Sequence, residues 1–349
     1  MTSILVFQNY FTPARHALFE RLCKRGVALT ALYMHLPSDE GRAWSPVEDP
    51  PYPAVQLPHF FVGKTLFFWV PMRFWRANII VLDNNPSNIC MILWSALFAL
   101  CGSRLGMWVE HIPDRYKGRL KLAYQAACTR LLALLCPIRI AFSDMTRRYL
   151  EDYGIDRNLR RMVQAVPPPG KHAPARPPAP LRRFGYLGSD GPRKNVQALI
   201  EAFGGLGRDD VTLKIAGFTG EQEMPGLDFL GYVDEASREA FFQSIDVLIL
   251  PSLADPWGFV INEALERGCL AVASERCGSA ELVAKISPDL VCGITPAEIG
   301  TCLEKLIALD ASELAALRAK VPDALAGYSM DAATNRFAGI ARALAGGAS

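Results

Sequence analysis

The hydrophobic positions of this chain fall in short runs separated by helix-period segments. Runs occupy 3–7, 27–33, 79–82, 105–109, 138–142 and 162–166 in the first half. In the second half they occupy 184–187, 212–216, 229–230, 247–250, 270–273 and 290–291. Most lack polar alternation, so they read as strands covered on both faces, as in a parallel sheet. Segments between them, such as 196–203 and 238–243, read as helices. Alternating strand and helix predicts an α/β protein with parallel sheets flanked by helices. Residues 166–180 are proline-rich and have no apolar period, which marks a linker. The predicted organisation is a domain over 1–166, a linker over 167–181, a second domain over 182–328 and a C-terminal segment over 329–349. The helix at 331–344 is expected to return to the first domain. Two such domains facing each other would bind ligands in a cleft at strand carboxyl ends.

The 349 residues suffice for two domains, and a composition 50% hydrophobic and 21% charged is globular. The longest apolar stretch, 89–100, is too short to span a bilayer and reads as a buried helix. Met1 to Gln8 lacks a charged leader region and reads as a first strand, so a cytoplasmic location is expected. Nine cysteines without regular spacing read as reduced, buried thiols. No Cys/His/Asp cluster has metal spacing, so no metal is expected. Net charge is +2, but residues 1–170 carry +8 and residues 171–349 carry −6. That asymmetry points to an anionic membrane or a phosphorylated acceptor near the first half. No nucleic-acid module is evident.

Chemistry concentrates after the apolar run at 245–250. Pro251 and Ser252 break the strand, and a helix opens near Pro256 to Gly258. A helix N-terminus at the carboxyl end of a parallel strand suits an anion, usually phosphate. Gly258 would let the backbone amides of Phe259 and Val260 approach that anion. Glu263 follows about 7 Å along the helix, at ~1.5 Å per residue, a distance suited to a ribose. Asp255 before Pro256 also reads as an ordinary N-cap, and Glu263 as a solvated helix residue.

The segment Asp255-Pro256-Trp257-Gly258-Phe259-Val260-Ile261-Asn262-Glu263 resembles the E-x7-E signature of glycosyltransferase family 4, with Asp255 in place of the first Glu. The resemblance extends over about residues 182–285. It implies a GT-B fold, two Rossmann-like domains, and a retaining, metal-independent transfer from a UDP- or GDP-linked sugar with no further cofactor. In Tyr186 to Asn195, Lys194 matches the family's diphosphate lysine, and Ser189 stands where the family has an arginine. Arg193 is the candidate substitute; a solvated basic turn is the plainer reading of both cations. Leu227 to Val233 resembles the segment beside the nucleotide base. Gly278 to Val283 resembles a later helix start, where Glu281 is a second-rank candidate. The resemblance gives Asp255 the role of orienting sugar hydroxyls and Glu263 that of binding ribose. His111, ending the strand Trp108-Val109-Glu110, takes a place near the donor sugar, or is a polar loop residue.

The family's glycine-rich loop after the first strand is absent. Arg15 at that position reads equally as a phosphate contact or a surface charge. Lys64 to Arg76 interleaves aromatic and basic residues, with Phe67, Phe68 and Trp69 at its centre. It suits an interfacial contact with lipid headgroups on the inner face of the cytoplasmic membrane, or is a core edge with solvated arginines. Arg115, Lys117, Arg119 and Lys121 add a second basic cluster. The expected function is sugar transfer from a nucleotide sugar to a glycan or lipid-linked glycan, in cell-surface polysaccharide assembly. A nucleotide-sugar epimerase of the same fold and a catalytically silent binding protein are the alternatives.

Overall fold

A computed structural model describes residues 3–40, 49–63, 65–83, 89–110, 118–169 and 180–346. The chain forms two compact units, one of Met1–Pro167 with Met330–Ser349 and one of Pro168–Ser329.

The first unit opens with β1 (Ile4–Gln8), α1 (Pro13–Lys24) and β2 (Leu29–Tyr33). Thr12 caps α1 by accepting from the Arg15 amide, and Pro13 supplies the preset first turn. Then come β3 (Ala54–Gln56), β4 (His59–Val62), β5 (Thr65–Phe68), β6 (Ile79–Asp83) and α2 (Ile89–Leu100). The run ends with β7 (Arg104–Val109), α3 (Arg119–Leu135), β8 (Ile138–Ala141), α4 (Asp144–Asp152) and β9 (Leu159–Arg161). Seven strands make a parallel sheet in the order β3-β2-β1-β6-β7-β8-β9. Strand order reverses beside β1, where β2 and β6 flank it. Phe7, Ile80, Leu82 and Met107 of this sheet, with Met91 and Phe98 of α2, are almost wholly buried. Each such side chain contributes about 1.5–3 kcal/mol.

The second unit contains β10 (Arg183–Leu187), α5 (Val196–Gly205), β11 (Thr212–Ala216), β12 (Leu227–Phe229), α6 (Glu235–Ser244) and β13 (Val247–Leu250). It continues with α7 (Phe259–Glu266), β14 (Leu270–Ser274), α8 (Ala280–Ile286), β15 (Val291–Cys292), α9 (Pro296–Ala308) and α10 (Ala311–Ala326). Its parallel sheet runs β12-β11-β10-β13-β14-β15, so the reversal lies between β10 and β13. The chain closes with α11 (Met330–Leu344), which belongs to the first unit, where it packs on α1 and β7. Phe337 sits 5.7 Å from the Trp108 ring, and Asp331 pairs with Arg21 and Arg25.

Three expectations are corrected. The run at 162–166 is not a strand. Pairing with β8 ends at Arg161, and Gln164 instead turns toward Arg15, so the apolar content reflects burial without a ladder. The stretch 89–100 is a helix, but only one side is buried; Ile89, Leu93 and Leu100 are exposed. In the aromatic segment, Phe68 and Leu66 enter the core, so Phe68 is not available to a lipid surface. The short β3 and the antiparallel β4–β5 hairpin lay hidden among prolines and too few residues for a readable period.

Candidate functional site

Where strand order reverses, connections leave in opposite directions and open a crevice at the strand carboxyl ends. In the second unit that place is between β10 and β13. The loop after β10 is tied down from several sides. Gly188 donates its amide to Ala216, and Gly217, at φ +112°, passes so close that a Cβ there would lie 2.0 Å from the Gly188 carbonyl oxygen. Asn195 adopts φ +57° at the head of α5 and donates to the carbonyls of Pro251 (3.1 Å) and Ile294 (2.8 Å). The Leu253 amide donates to the Arg193 carbonyl at 2.8 Å. These bonds hold the two loops of the crevice against each other.

Across them, Lys194 Nζ donates to Asp255 Oδ2 at 2.6 Å. Asp255 Oδ1 accepts from the Trp257 amide at 3.2 Å. The Asp255 side chain is 11% exposed and Lys194 29%, so this pair sits at the edge of solvent. Asp255 is not the helix cap: α7 begins at Phe259, with Gly258 before it at φ +87°. A Cβ at Gly258 would fall 2.3 Å from Leu250 Cδ2, so glycine is required by space as well as by conformation. The N-terminus of α7, at Phe259, adds the positive end of the helix dipole. Trp257 is buried, donates its indole N–H to Asn262 Oδ1 at 2.7 Å and stacks on Tyr328 at 5.4 Å. Tyr328 in turn donates to Glu281 at 2.9 Å, so Glu281 braces the Trp257 support.

Glu263 lies on α7 with its side chain 18% exposed and accepts from Arg238 Nη1 at 2.9 Å. Burial pushes its carboxyl above the usual glutamate range, opposed by Arg238 and Arg267. It is therefore not a solvated helix residue. Arg238 itself was missed as a site residue; nothing in a helical segment marks one arginine as the partner of a carboxylate in another helix. Its Nε is buried with no acceptor among the described residues. Arg193 is exposed, with no side-chain partner among the described residues. Ser189 is exposed and contributes its carbonyl to the Tyr186 hydroxyl at 2.7 Å. An open pocket of about 350 Å³ lies beside α5, lined by Asp190, Asn195, Phe218, Gln222 and Phe229. Neither Lys194 nor Asp255 lines it.

In the first unit, Arg15 is 4% exposed, which overturns the surface-charge reading. It donates to Glu110 and, at 2.7 Å, to Gln164, and its guanidinium lies over Trp108 and Phe142. Those engagements also leave it poorly disposed to act as a free phosphate contact. Asp83, at the end of β6, is buried beside it; burial raises its carboxyl to about 7, opposed by Arg15 and a hydrogen bond from Asn9. His111 lies outside the described residues, as do Lys64, Arg115 and Lys117.

Among the described residues, no group of three or more His, Cys, Asp or Glu side chains is arranged to hold a metal ion.

Residues 182–308 match the family model of glycosyl transferases group 1. Over 158 residues the chain is 33% identical to the phosphatidyl-myo-inositol mannosyltransferase of Mycobacterium leprae (strain TN). That stretch is 39% of this chain and 40% of the relative, so the match spans well under half of either. The fold resembles that of sucrose-phosphate synthase from Thermosynechococcus elongatus, with TM-score 0.71, 13% identity and 99% of each chain covered. It also resembles Anabaena Alr3699/HepE in complex with UDP and glucose, with TM-score 0.73, 14% identity, and coverage of 98% of this chain and 100% of that one. The α,α-trehalose 6-phosphate synthase from Burkholderia multivorans gives TM-score 0.68 at 12% identity, covering 99% of this chain and 97% of that one.

Proposed function

We propose that this chain, a member of the glycosyl transferases group 1 family through residues 182–308 and a GT-B protein by fold, is a retaining, metal-independent glycosyltransferase. It would move a sugar from a UDP- or GDP-linked donor to a glycan or lipid-linked glycan, as in cell-surface polysaccharide assembly. The observation that carries this reading is the Lys194–Asp255 pair, 2.6 Å apart, next to the glycine-headed α7. A diphosphate needs fixed positive charge and backbone donors that strengthen as it departs. Lys194 has three N–H donors, so it can keep Asp255 and still reach a phosphate oxygen. Arg193 and the amides of Gly258, Phe259 and Val260 would complete that cradle. The Glu263 carboxylate retains acceptor capacity beyond its bond to Arg238 and would take the ribose hydroxyls. Asp255 would orient sugar hydroxyls with the oxygen edge left by Lys194, and His111 would contact the donor sugar. The departing phosphate would receive the acceptor proton on the same face of the sugar. A lipid-linked acceptor is in keeping with the matched relative, named a phosphatidyl-myo-inositol mannosyltransferase.

Calorimetric titration of UDP and GDP into the full chain tests the donor site. Saturable binding of one of them, weakened in Lys194→Ala, is the expected result. Absence of binding by both would remove the basis of the reading.

A further inference from the structure

The outward faces of α2 and α3 are apolar, which is unusual for helices lying on the surface of a sheet. On α2, Ile89, Leu93 and Leu100 are exposed at 46%, 65% and 85%. On α3, Leu120, Tyr124, Leu131 and Leu134 are exposed at 89%, 45%, 46% and 80%. At 3.6 residues per turn, each set falls within an arc of about 80° or less. The opposite side of α3 is the one that packs inward, through Ala126, Thr129, Leu132 and Ala133. The outward stripes are therefore surplus to the core.

The two helices pack on each other and both contact β7. They follow successive parallel crossovers, β6 to β7 and β7 to β8, which right-handed connection places on one face of the sheet. The β4–β5 hairpin is fastened to α2. Trp94 of α2 donates its indole N–H to the Phe68 carbonyl at 3.1 Å, and Trp69 lies edge-on to Trp94 at 5.3 Å. Strand alternation sends Leu66 and Phe68 inward, which turns Phe60, Val62 and Trp69 outward at 61%, 60% and 57% exposure.

Charge decides what covers such a face. Residues 59–76, α2 and α3 contain no Asp or Glu at all. Exposed Arg73 and Arg76 follow the hairpin, and exposed Arg119 and Lys121 flank the stripe of α3. Two copies meeting through these elements would bring like charges together, at a cost in free energy. An anionic lipid surface would satisfy both the apolar stripes and the cations. No helix among the described residues is long and apolar enough to cross a membrane, so contact would be made in the plane of the interface.

We infer that this face of the first unit, formed by α2, α3 and the β4–β5 hairpin, docks on an anionic bilayer. The leucines and aromatics enter the boundary between headgroups and acyl chains, to a depth of about 5–10 Å, and the arginines and lysines meet lipid phosphates. The inference stands apart from the donor chemistry, because every residue in it belongs to the first unit.

The test is co-sedimentation of the full chain with vesicles of phosphatidylglycerol and phosphatidylcholine in equal parts, and with phosphatidylcholine alone. Binding to the mixed vesicles is expected, falling as salt is added, since exposed charges are screened over about 8 Å at physiological ionic strength. The triple variant Leu120→Ser, Leu131→Ser, Leu134→Ser should reduce partitioning at least about tenfold. Its melting temperature should fall only slightly, because Leu120 and Leu134 are 89% and 80% exposed and Leu131 is 46% exposed. Arg73→Ser with Arg76→Ser should weaken binding to the mixed vesicles alone. With brominated lipid, part of the tryptophan fluorescence should be quenched, and Trp69→Phe should remove most of that quenching. Equal partitioning to both vesicle types, no partitioning, or partitioning unaltered in the triple variant would each overturn the inference. So would a concentration-dependent dimer abolished by Leu134→Ser, which would assign the face to self-association.

Discussion

Lys194→Ala perturbs two things at once, and the structure allows them to be separated. The ammonium lies 2.6 Å from Asp255 Oδ2, with the lysine 29% and the aspartate 11% exposed. At that distance the gross attraction is about 6 kcal/mol for an effective dielectric constant near 20. Most of this is offset by the desolvation of both groups, and a hydrogen bond to a charged group leaves a net of about 1.5–3 kcal/mol. Without Lys194, the Asp255 carboxylate keeps, among the described residues, the Trp257 amide at 3.2 Å. Partial solvation lets water replace some of the loss, so the fold should weaken by roughly 1–2 kcal/mol. Nucleotide affinity should fall separately, by the same 1.5–3 kcal/mol if one phosphate contact is lost, which is about ten- to hundredfold in Kd. Urea unfolding and calorimetry with UDP and GDP read the two effects independently. The double variant Lys194→Ala with Asp255→Asn removes the uncompensated carboxylate. It should regain stability relative to Lys194→Ala and regain none of the affinity. A folded Lys194→Ala protein with wild-type Kd would refute the placement of the diphosphate. A double variant that recovers affinity would show that the lysine acts only by neutralising Asp255.

Glu263→Gln should weaken nucleotide binding several-fold and leave the melting temperature within a few degrees, because Arg238 keeps an oxygen acceptor in the amide; a large drop in melting temperature with normal affinity would make Glu263 a purely structural partner. Gly258→Ala places a Cβ 2.3 Å from Leu250 Cδ2 at φ +87° and should cost on the order of 1–3 kcal/mol in urea unfolding. Gly205→Ala, with nothing within 4 Å, is the control and should be neutral or slightly stabilising. Asp83 has a folded pKa of about 7 against ~3.9 in the unfolded chain, so the folded state holds the extra proton between these values. Its contribution to stability is therefore full below about pH 4 and is lost as pH rises toward 7. Asp83→Asn should flatten that slope, gaining stability on the order of 1–3 kcal/mol at pH 8 relative to pH 4; parallel unfolding profiles for the two proteins would contradict the buried-acid assignment.

Much of the second unit was legible because its strands are uninterrupted apolar runs bounded by turn residues. The runs at 212–216 and 247–250 coincide with β11 and β13, and the 196–203 helix lies within α5. Asp255 and Gly258 are legible because strand, turn and helix start fall in sequence order, whereas Lys194, 61 positions away from Asp255, follows only from the family resemblance. The scaffold between them was not legible. Asn195 holds both crevice loops through one side-chain amide, and its left-handed backbone leaves no mark in a run of ordinary residues. Arg238 meets Glu263 from 25 positions away, a pairing between side chains of α6 and α7 that only the tertiary fold creates. In the first unit, the sequence reads Arg15 equally as a phosphate contact or a surface charge, because a lone arginine after a helix cap carries no sign of burial. Its partners, Glu110 and Gln164, come from positions 95 and 149 residues distant. The apolar run at 89–100 gave the helix and concealed its exposure, since hydrophobicity all round a helix implies burial only when something covers both sides. The aromatic hairpin was misjudged at Phe68 for the complementary reason: composition identifies a strand-rich segment, and only the pairing register decides which alternate side chains face the core.

Sugar transfer itself is tested most directly by incubating the full chain with a panel of UDP- and GDP-linked sugars and a mixture of glycan and lipid-linked acceptors. The products are followed by mass spectrometry and by the anomeric proton signals of the new bond. One donor should yield free nucleoside diphosphate together with a glycosylated acceptor of the donor's own anomeric configuration, and Lys194→Ala should abolish most of both. Conversion of the donor to an isomeric nucleotide sugar, an inverted product, or no turnover of any donor would contradict retaining sugar transfer.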